Sequence, residues 1–252
     1  MYQTALFLVC LSCLFSCKKE RIPSVIHCLG QADALPDSMK CAPDGADSLY
    51  CNHRFWGQFS LVENSKLYQP LYCQPTGAHI RFLNDTGAFK DFTLLNKCYQ
   101  ERCQRIQSLL PCVGAAQYDL FYMQSEAIEI QLSSSDQQIE LDIIIQPQPD
   151  LIHPENGGVG DFLHIYRKNN TGTWALESAT ILSKRSLSYP AAVYQEYFES
   201  IELLGVVFYE VISSDVHYYP AQSRPFKYYY NQLYGLIGFE EQNGALWRLD
   251  QE

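Results

Sequence analysis

Cysteine is the residue type in this chain best placed to do chemistry. Cys28, Cys41, Cys51, Cys73, Cys98, Cys103 and Cys112 all lie in the first half, and none follows. Thiols grouped in this way either pair as disulfides or ligate a metal. His27-Cys28 and Cys51-Asn52-His53 set nitrogen beside sulfur, as a zinc site would need. Zinc sites usually carry ligand pairs at spacings such as C-x2-C, and these seven show none. Disulfides are therefore the expected use, no metal or other cofactor is assigned, and His27 and His53 read as surface residues. Seven is odd, so up to three bridges leave one thiol free or paired outside the chain. Sequence does not decide the pairing, although Cys98 and Cys103 could close a small local loop if residues 97–110 are not a regular helix.

Other catalytic chemistry lacks its anchors. The chain has no G-x-S-x-G elbow, no H-E-x-x-H pair and no P-loop, so no catalytic residue is assigned. The run His153-Pro154-Glu155-Asn156-Gly157-Gly158-Val159-Gly160-Asp161 combines a histidine, acids and glycines, but it lacks the regular Asp spacing of a calcium loop. It reads as a strand connection. Glu126, Glu129, Glu140 and Asp142 could supply a glycosidase pair only if two of them stood about 5 to 10 Å apart across a sugar. Their alternation with aliphatic residues explains them as the polar face of a sheet. Tyr218, Tyr219, Tyr228, Tyr229, Tyr230 and Tyr234 suit a binding surface, and they suit half-buried strands better.

The compartment follows from the start of the chain. Ala5 to Cys17 is a run of 13 mostly apolar residues, short of the about 20 that a membrane-spanning helix needs, so it reads as an export signal. It ends in Leu14-Phe15-Ser16-Cys17 and is followed by Lys18-Lys19-Glu20-Arg21. This layout resembles the lipobox of bacterial lipoproteins, in which the Cys thiol receives a diacylglycerol and the new amino terminus is acylated. The resemblance implies lipidation at Cys17, loss of Cys10 and Cys13 with the signal, and anchoring in a membrane, because two acyl signals hold where one does not. Cutting before Cys13 would lipidate that residue instead, and an ordinary secretory signal would lipidate neither. All three routes lead out of the cytoplasm, where disulfides persist.

The elements that must position these residues are strands. Only 18% of the 252 residues are charged while 13% are aromatic, 18 of them Tyr, a composition that folds. The net charge of -10 argues against nucleic acid as a partner. Residues 18–54, rich in Pro, Gly, Asp and Ser, read as a tether and a disulfide-tied loop region. Ile80 to Phe92 reads as a hairpin about Asn84-Asp85-Thr86-Gly87. A second hairpin turns at Ser133-Ser134-Ser135-Asp136, with Ile128, Ile130, Leu132 before it and Ile139, Leu141, Ile143, Ile145 after it in period-two alternation. Phe162–Tyr166 and Trp174–Leu176 make a third, and Leu203–Ile212 is a long β run. Lys97–Leu110 and Ala191–Ile201 are the only helical expectations. The expected fold is all-β, a curved antiparallel sheet or half-open barrel built from hairpins with few short helices. Its divisions are a signal at 1–16, a lipidated tether at 17–27, a Cys-rich β part at 28–113 and an antiparallel β part at 114–252, the last two open to being one continuous domain.

The segment Tyr228-Tyr229-Tyr230-Asn231-Gln232-Leu233-Tyr234-Gly235-Leu236-Ile237-Gly238-Phe239, then Gly244 and Trp247-Arg248-Leu249, resembles the ending of Bacteroidota envelope lipoproteins of unknown function. Pro75-Thr76-Gly77 through Ile80-Arg81-Phe82 to Phe92 is similar to their N-terminal hairpin. The resemblance implies an outer-membrane lipoprotein with a curved sheet and no stated activity. Asp37-Ser38-Met39 and Asp47-Ser48-Leu49 are similar to the short O-glycosylation signal of exported proteins in that group, which implies modification at Ser38 and Ser48. Three functions remain to compare. The chain is a non-catalytic module that binds or scaffolds another envelope protein or a glycan, a carrier or chaperone that encloses an apolar ligand in a half-barrel, or a hydrolase with an unfamiliar site.

Overall fold

The computed structural model describes residues 28–29, 31–35, 41, 50–111, 118–136, 139–149, 158–168, 172–183, 185, 194–215, 227–241 and 243–251, and the side chains of all but 51–53, 108–111 and 194 of these. Among the described residues twelve strands form one sheet. They are β1 (Tyr50–Phe59), β2 (His79–Asn84), β3 (Phe89–Pro111), β4 (Tyr118–Ser134), β5 (Glu140–Pro149), β6 (Val159–Lys168), β7 (Trp174–Ser183), β8 (Tyr194–Leu203), β9 (Val206–Asp215), β10 (Lys227–Asn231), β11 (Gly235–Glu240) and β12 (Leu246–Leu249). The order across the sheet is β7-β6-β5-β4-β3-β2-β12-β11-β10-β9-β8. The fold is thus the expected all-β one, a curved, nearly closed barrel of antiparallel hairpins. Among the described residues two pairings depart from it: β1 runs parallel to the first half of β4, with Phe55 opposite Tyr122, and Asp33 makes a parallel bridge to Gln100.

The hairpins form where their sequence patterns place them. Ile128, Ile130 and Leu132 face Ile145, Ile143 and Leu141 across β4 and β5, and all six are at most 1% exposed. Between β2 and β3, Asn84 Oδ1 accepts bonds from Thr86 N, Thr86 Oγ1 and Ala88 N. Gly87 follows at φ 79°, a conformation that a residue with a Cβ resists. The first and last parts of the chain meet at β2 and β12, where Phe82 lies opposite Leu249. Phe82, Phe92 and Phe239 join edge to face there, and Trp247 stacks on Phe239. Such pairs add to the stabilisation from burial alone.

The two ends of the sheet meet through side chains, without a backbone ladder. Ile181 N in β7 donates to Gln195 Oε1 of β8 at 2.7 Å, and Gln195 Nε2 donates back to the Ile181 carbonyl at 3.3 Å. Beside it Ser178 of β7 hydrogen-bonds Ser214 of β9. One end of the barrel is plugged by the short helix α1 (Glu63–Lys66) and the 3-10 turn Pro70–Cys73. Gln69, fully buried, donates to the Ile143 carbonyl and accepts from Tyr230 Oη.

Both helical expectations are corrected. Lys97–Leu110 lies within β3, and the described part of 191–201 lies in β8. From Gln100 to Gln107 β3 is half-buried on both faces at most positions, which blurs period two and leaves room for a false helical reading. Strand pairing decides the matter: β3 keeps register with β4 from Cys98 opposite Glu129 to Gln107 opposite Leu120.

Candidate functional site

Among the described residues, four cysteines are brought together as two bridges. Cys28 pairs with Cys73, tying the incoming chain to the plug, and Cys41 pairs with Cys103 on β3. The local Cys98 with Cys103 loop does not form, because residues five apart on a strand point to opposite faces. Cys98 is a free thiol, and burial pushes its titration up. Among the described residues no three His, Cys, Asp or Glu side chains group as a metal site would need. Cys17, His27, Ser38, Ser48, Cys112, His153 and Tyr218–Tyr219 lie outside the described residues, as do the side chains of Cys51 and His53.

The nominated carboxylates have structural partners. Glu126 accepts from Leu61 N at 2.9 Å and meets Lys66 Nζ at 3.1 Å, so it holds the entry to the plug. Asp161, the buried end of the glycine-rich run, accepts from Val62 N and pairs with Arg185 at 2.7 Å. Glu129 pairs with Arg102, and Glu140 with Lys168 at 2.8 Å. Asp142 differs: its Oδ1 is buried without a hydrogen bond, and burial pushes its carboxyl up to about 6 against the opposing charge of Arg102.

Cys98, Glu129, Ile144 and His164 sit in successive register on β3, β4, β5 and β6. His164, stacked on Phe162 and edge-on to Tyr166, is wholly buried, and desolvation lowers its titration to about 4. Its register places it three strand spacings from Cys98, about 14 Å. His164 and the Cys98 thiol are therefore out of reach of one another, and the carboxylate beside the thiol, Glu129 at 3.9 Å, is paired with Arg102.

A different group gathers at the plugged end. Hairpin β8–β9 leaves the barrel wall after the pair Ile212 and Tyr230, beyond which β9 and β10 no longer pair. Glu210 takes a left-handed φ of 52° at the bend, a cost of order 1–3 kcal/mol that surrounding packing must impose. The tip then lies over the outer face of β10 and β11, where Leu203, Phe208 and Val211 pack on Tyr229 and Ile237. Gly238 permits this approach, since a Cβ there would meet the Trp247 carbonyl at 2.7 Å and Leu203 Cδ1 at 3.1 Å. Buried Asn231 locks the bend: its Nδ2 donates to the Tyr209 carbonyl, and its Oδ1 accepts from Tyr234 N.

The result is a ledge of exposed aromatic and polar side chains on a fixed frame. Tyr197 is 63% and Tyr209 67% exposed, with exposed Val207 two residues before Tyr209 on β9. Tyr68 of the plug is hydrogen-bonded by Gln232 and lies within electrostatic range of Tyr197 and Glu210. The tyrosines nominated from sequence are elsewhere: Tyr228, Tyr229 and Tyr230 are at most 5% exposed and form core. Tyr197 and Tyr209 carried no separate signal, because alternation cannot tell which face of a bent hairpin stays wet.

The class defined so far is a plugged, nearly closed β-barrel with an aromatic ledge on one bent hairpin. No known family matches the chain, and neither a curated protein nor a solved structure matches it.

Proposed function

We propose that this is a lipid-anchored outer-membrane protein of the Bacteroidota type, held by lipid on Cys17, whose barrel is a non-catalytic module that binds or scaffolds another envelope component, protein or glycan. The observation that carries it is the ledge: large aromatic rings left in water on a rigid frame mark an interaction surface more often than isolated exposed residues do. The two other readings have less support. Interior positions from β2 to β6 and β10 to β12 pack against one another in a single apolar cluster, which leaves a carrier less room for a ligand. A hydrolase would need carboxylates that are free to act, and most of those available hold the plug or pair with a neighbouring base.

Two measurements test the proposal. Mass spectrometry of the mature N-terminus should find a lipidated Cys17, lost in Cys17→Ala; an unmodified terminus ends the lipoprotein reading. A photo-crosslinking residue at Tyr209 should capture an identified envelope component in cells, while one at the exposed Leu95 of β3 should not. Equal labelling from both positions would end the binding reading. Protease shaving of intact cells then decides whether the ledge faces the periplasm or the medium.

A further inference from the structure

We propose that the edge of β8 beyond its Gln195 contact with β7, together with the ledge beside it, takes an extended Lys- or Arg-bearing segment of another protein as an added strand. This rests on the binding reading above and names its partner chemistry.

Three observations converge on it. The two end strands, β7 paired with β6 and β8 paired with β9, touch at Gln195 near the start of β8. At β7 the Ile181 N–H and carbonyl are both satisfied by the Gln195 amide, in the two-bond manner of a partnering peptide group. β8 pairs only with β9 among the described residues. An open edge of this kind is a template for another chain.

The charge on that edge is of one sign. From Tyr194 to Asp215 the hairpin carries Glu196, Glu199, Glu202, Glu210 and Asp215 and no Lys or Arg. Lys227 meets Glu196 and Asp215 at the root, and Glu199, Glu202 and Glu210 have no basic partner among the described residues. Like charges placed opposite one another on paired strands repel, so this edge disfavours a second copy of itself. Phosphate-bearing and other anionic ligands are disfavoured in the same way, and a cationic strand is attracted.

The apolar contact is also in place. Tyr197, Val207 and Tyr209 are each about half exposed or more. Tyrosine faces accept ammonium and guanidinium groups, while aliphatic side chains on alternate positions of an added strand can lie on the rings. A neutral glycan could stack on the same rings, but it would gain nothing from these three carboxylates.

The test uses the full-length protein in detergent and three capped peptides matched to the ten residues of β8, with Val alternating with Lys, Ser or Glu. Fluorescence anisotropy should show the Lys peptide binding, with affinity falling about tenfold in E199Q/E202Q and weakening in about 0.5 M salt. Hydrogen exchange should show alternate β8 amides slowed on saturation and those of β7 unchanged. Equal binding of the Lys and Glu peptides, or saturation without β8 protection, would overturn the proposal. A neutral oligosaccharide that binds the ledge where the Lys peptide does not would overturn it too, yet leave the binding reading standing. A failed Tyr209 crosslink in cells would sink that broader reading instead.

Discussion

Two long hairpins leave the barrel wall, and they are held by different physics. β3–β4 carries its extension with β1 added in parallel, Cys103 bridged to Cys41, and Arg102 paired with Glu129. β8–β9 has no cysteine and folds back on Leu203, Phe208 and Val211. The first is secured largely by cross-links that restrict the unfolded chain, the second by apolar area removed from water. The contrast teaches that the acidic, aromatic hairpin has been left free of covalent ties while its frame is fixed by packing, which suits a surface that meets partners.

The largest break in this comparison comes from the bridges. The Cys28–Cys73 and Cys41–Cys103 loops span 45 and 62 residues, and chain-entropy reasoning gives about 4 kcal/mol for each. Removing either pair by Cys→Ala substitution should lower stability by roughly that amount, with hydrogen exchange rising first at the plug for Cys28–Cys73 and in β1 and outer β3–β4 for Cys41–Cys103. Faster exchange in β8–β9 alone would reverse the assignment. Thiol titration of the denatured, unreduced protein should find one free group, Cys98; three would mean that only two bridges form.

Phe208→Ala attacks the other side. Deleting a fully buried ring costs about 3–5 kcal/mol where the site cannot collapse. The loss should loosen the hairpin tip while the disulfide-tied half keeps its exchange pattern. Uniform loosening of both hairpins would show that they do not unfold independently.

Acid sharpens the comparison at the barrel wall between them. Buried His164 titrates near 4 in the fold, so the unfolded chain takes up its proton first. Its contribution is full above about 6.5 and is lost as pH falls toward 4, about 3 kcal/mol in all. Asp142 runs oppositely: its folded value near 6 means that stability falls as pH rises from about 4 to 6. The two slopes oppose each other in the native protein. Asp142→Asn should expose a loss of stability on acidification, and His164→Phe should expose a gain. Identical pH profiles for the two variants would contradict the burial of one group or the other.

The smallest effect belongs to the bend. Glu210→Gly removes the left-handed strain and should stabilise the protein by up to about 1 kcal/mol, with no change in the disulfide half. Destabilisation would mean that the Glu210 side chain makes contacts worth more than the strain.

The patterns that local chemistry governs were legible before folding. Alternation placed Ile128, Ile130, Leu132, Leu141, Ile143 and Ile145 on one buried face, and Asn84 with Gly87 announced a turn whose side-chain bonds lie within four residues. The crowding of cysteines in one half announced bridges, because their count requires no coordinates. Tertiary structure decided what depends on distant neighbours. It chose Cys41 for Cys103 across 62 residues, set β1 parallel to β4, turned Lys97–Leu110 into strand by pairing it with β4, and spent Glu126 and Asp161 on the plug. It also sent Tyr228–Tyr230 inward while leaving Tyr197 and Tyr209 in water. The sequence by itself therefore determined that the chain builds hairpins with a buried aliphatic face and a cross-linked first half. Only the nearly closed barrel determined which face of each hairpin stays wet, because a strand's two faces differ solely in what the rest of the chain brings against them.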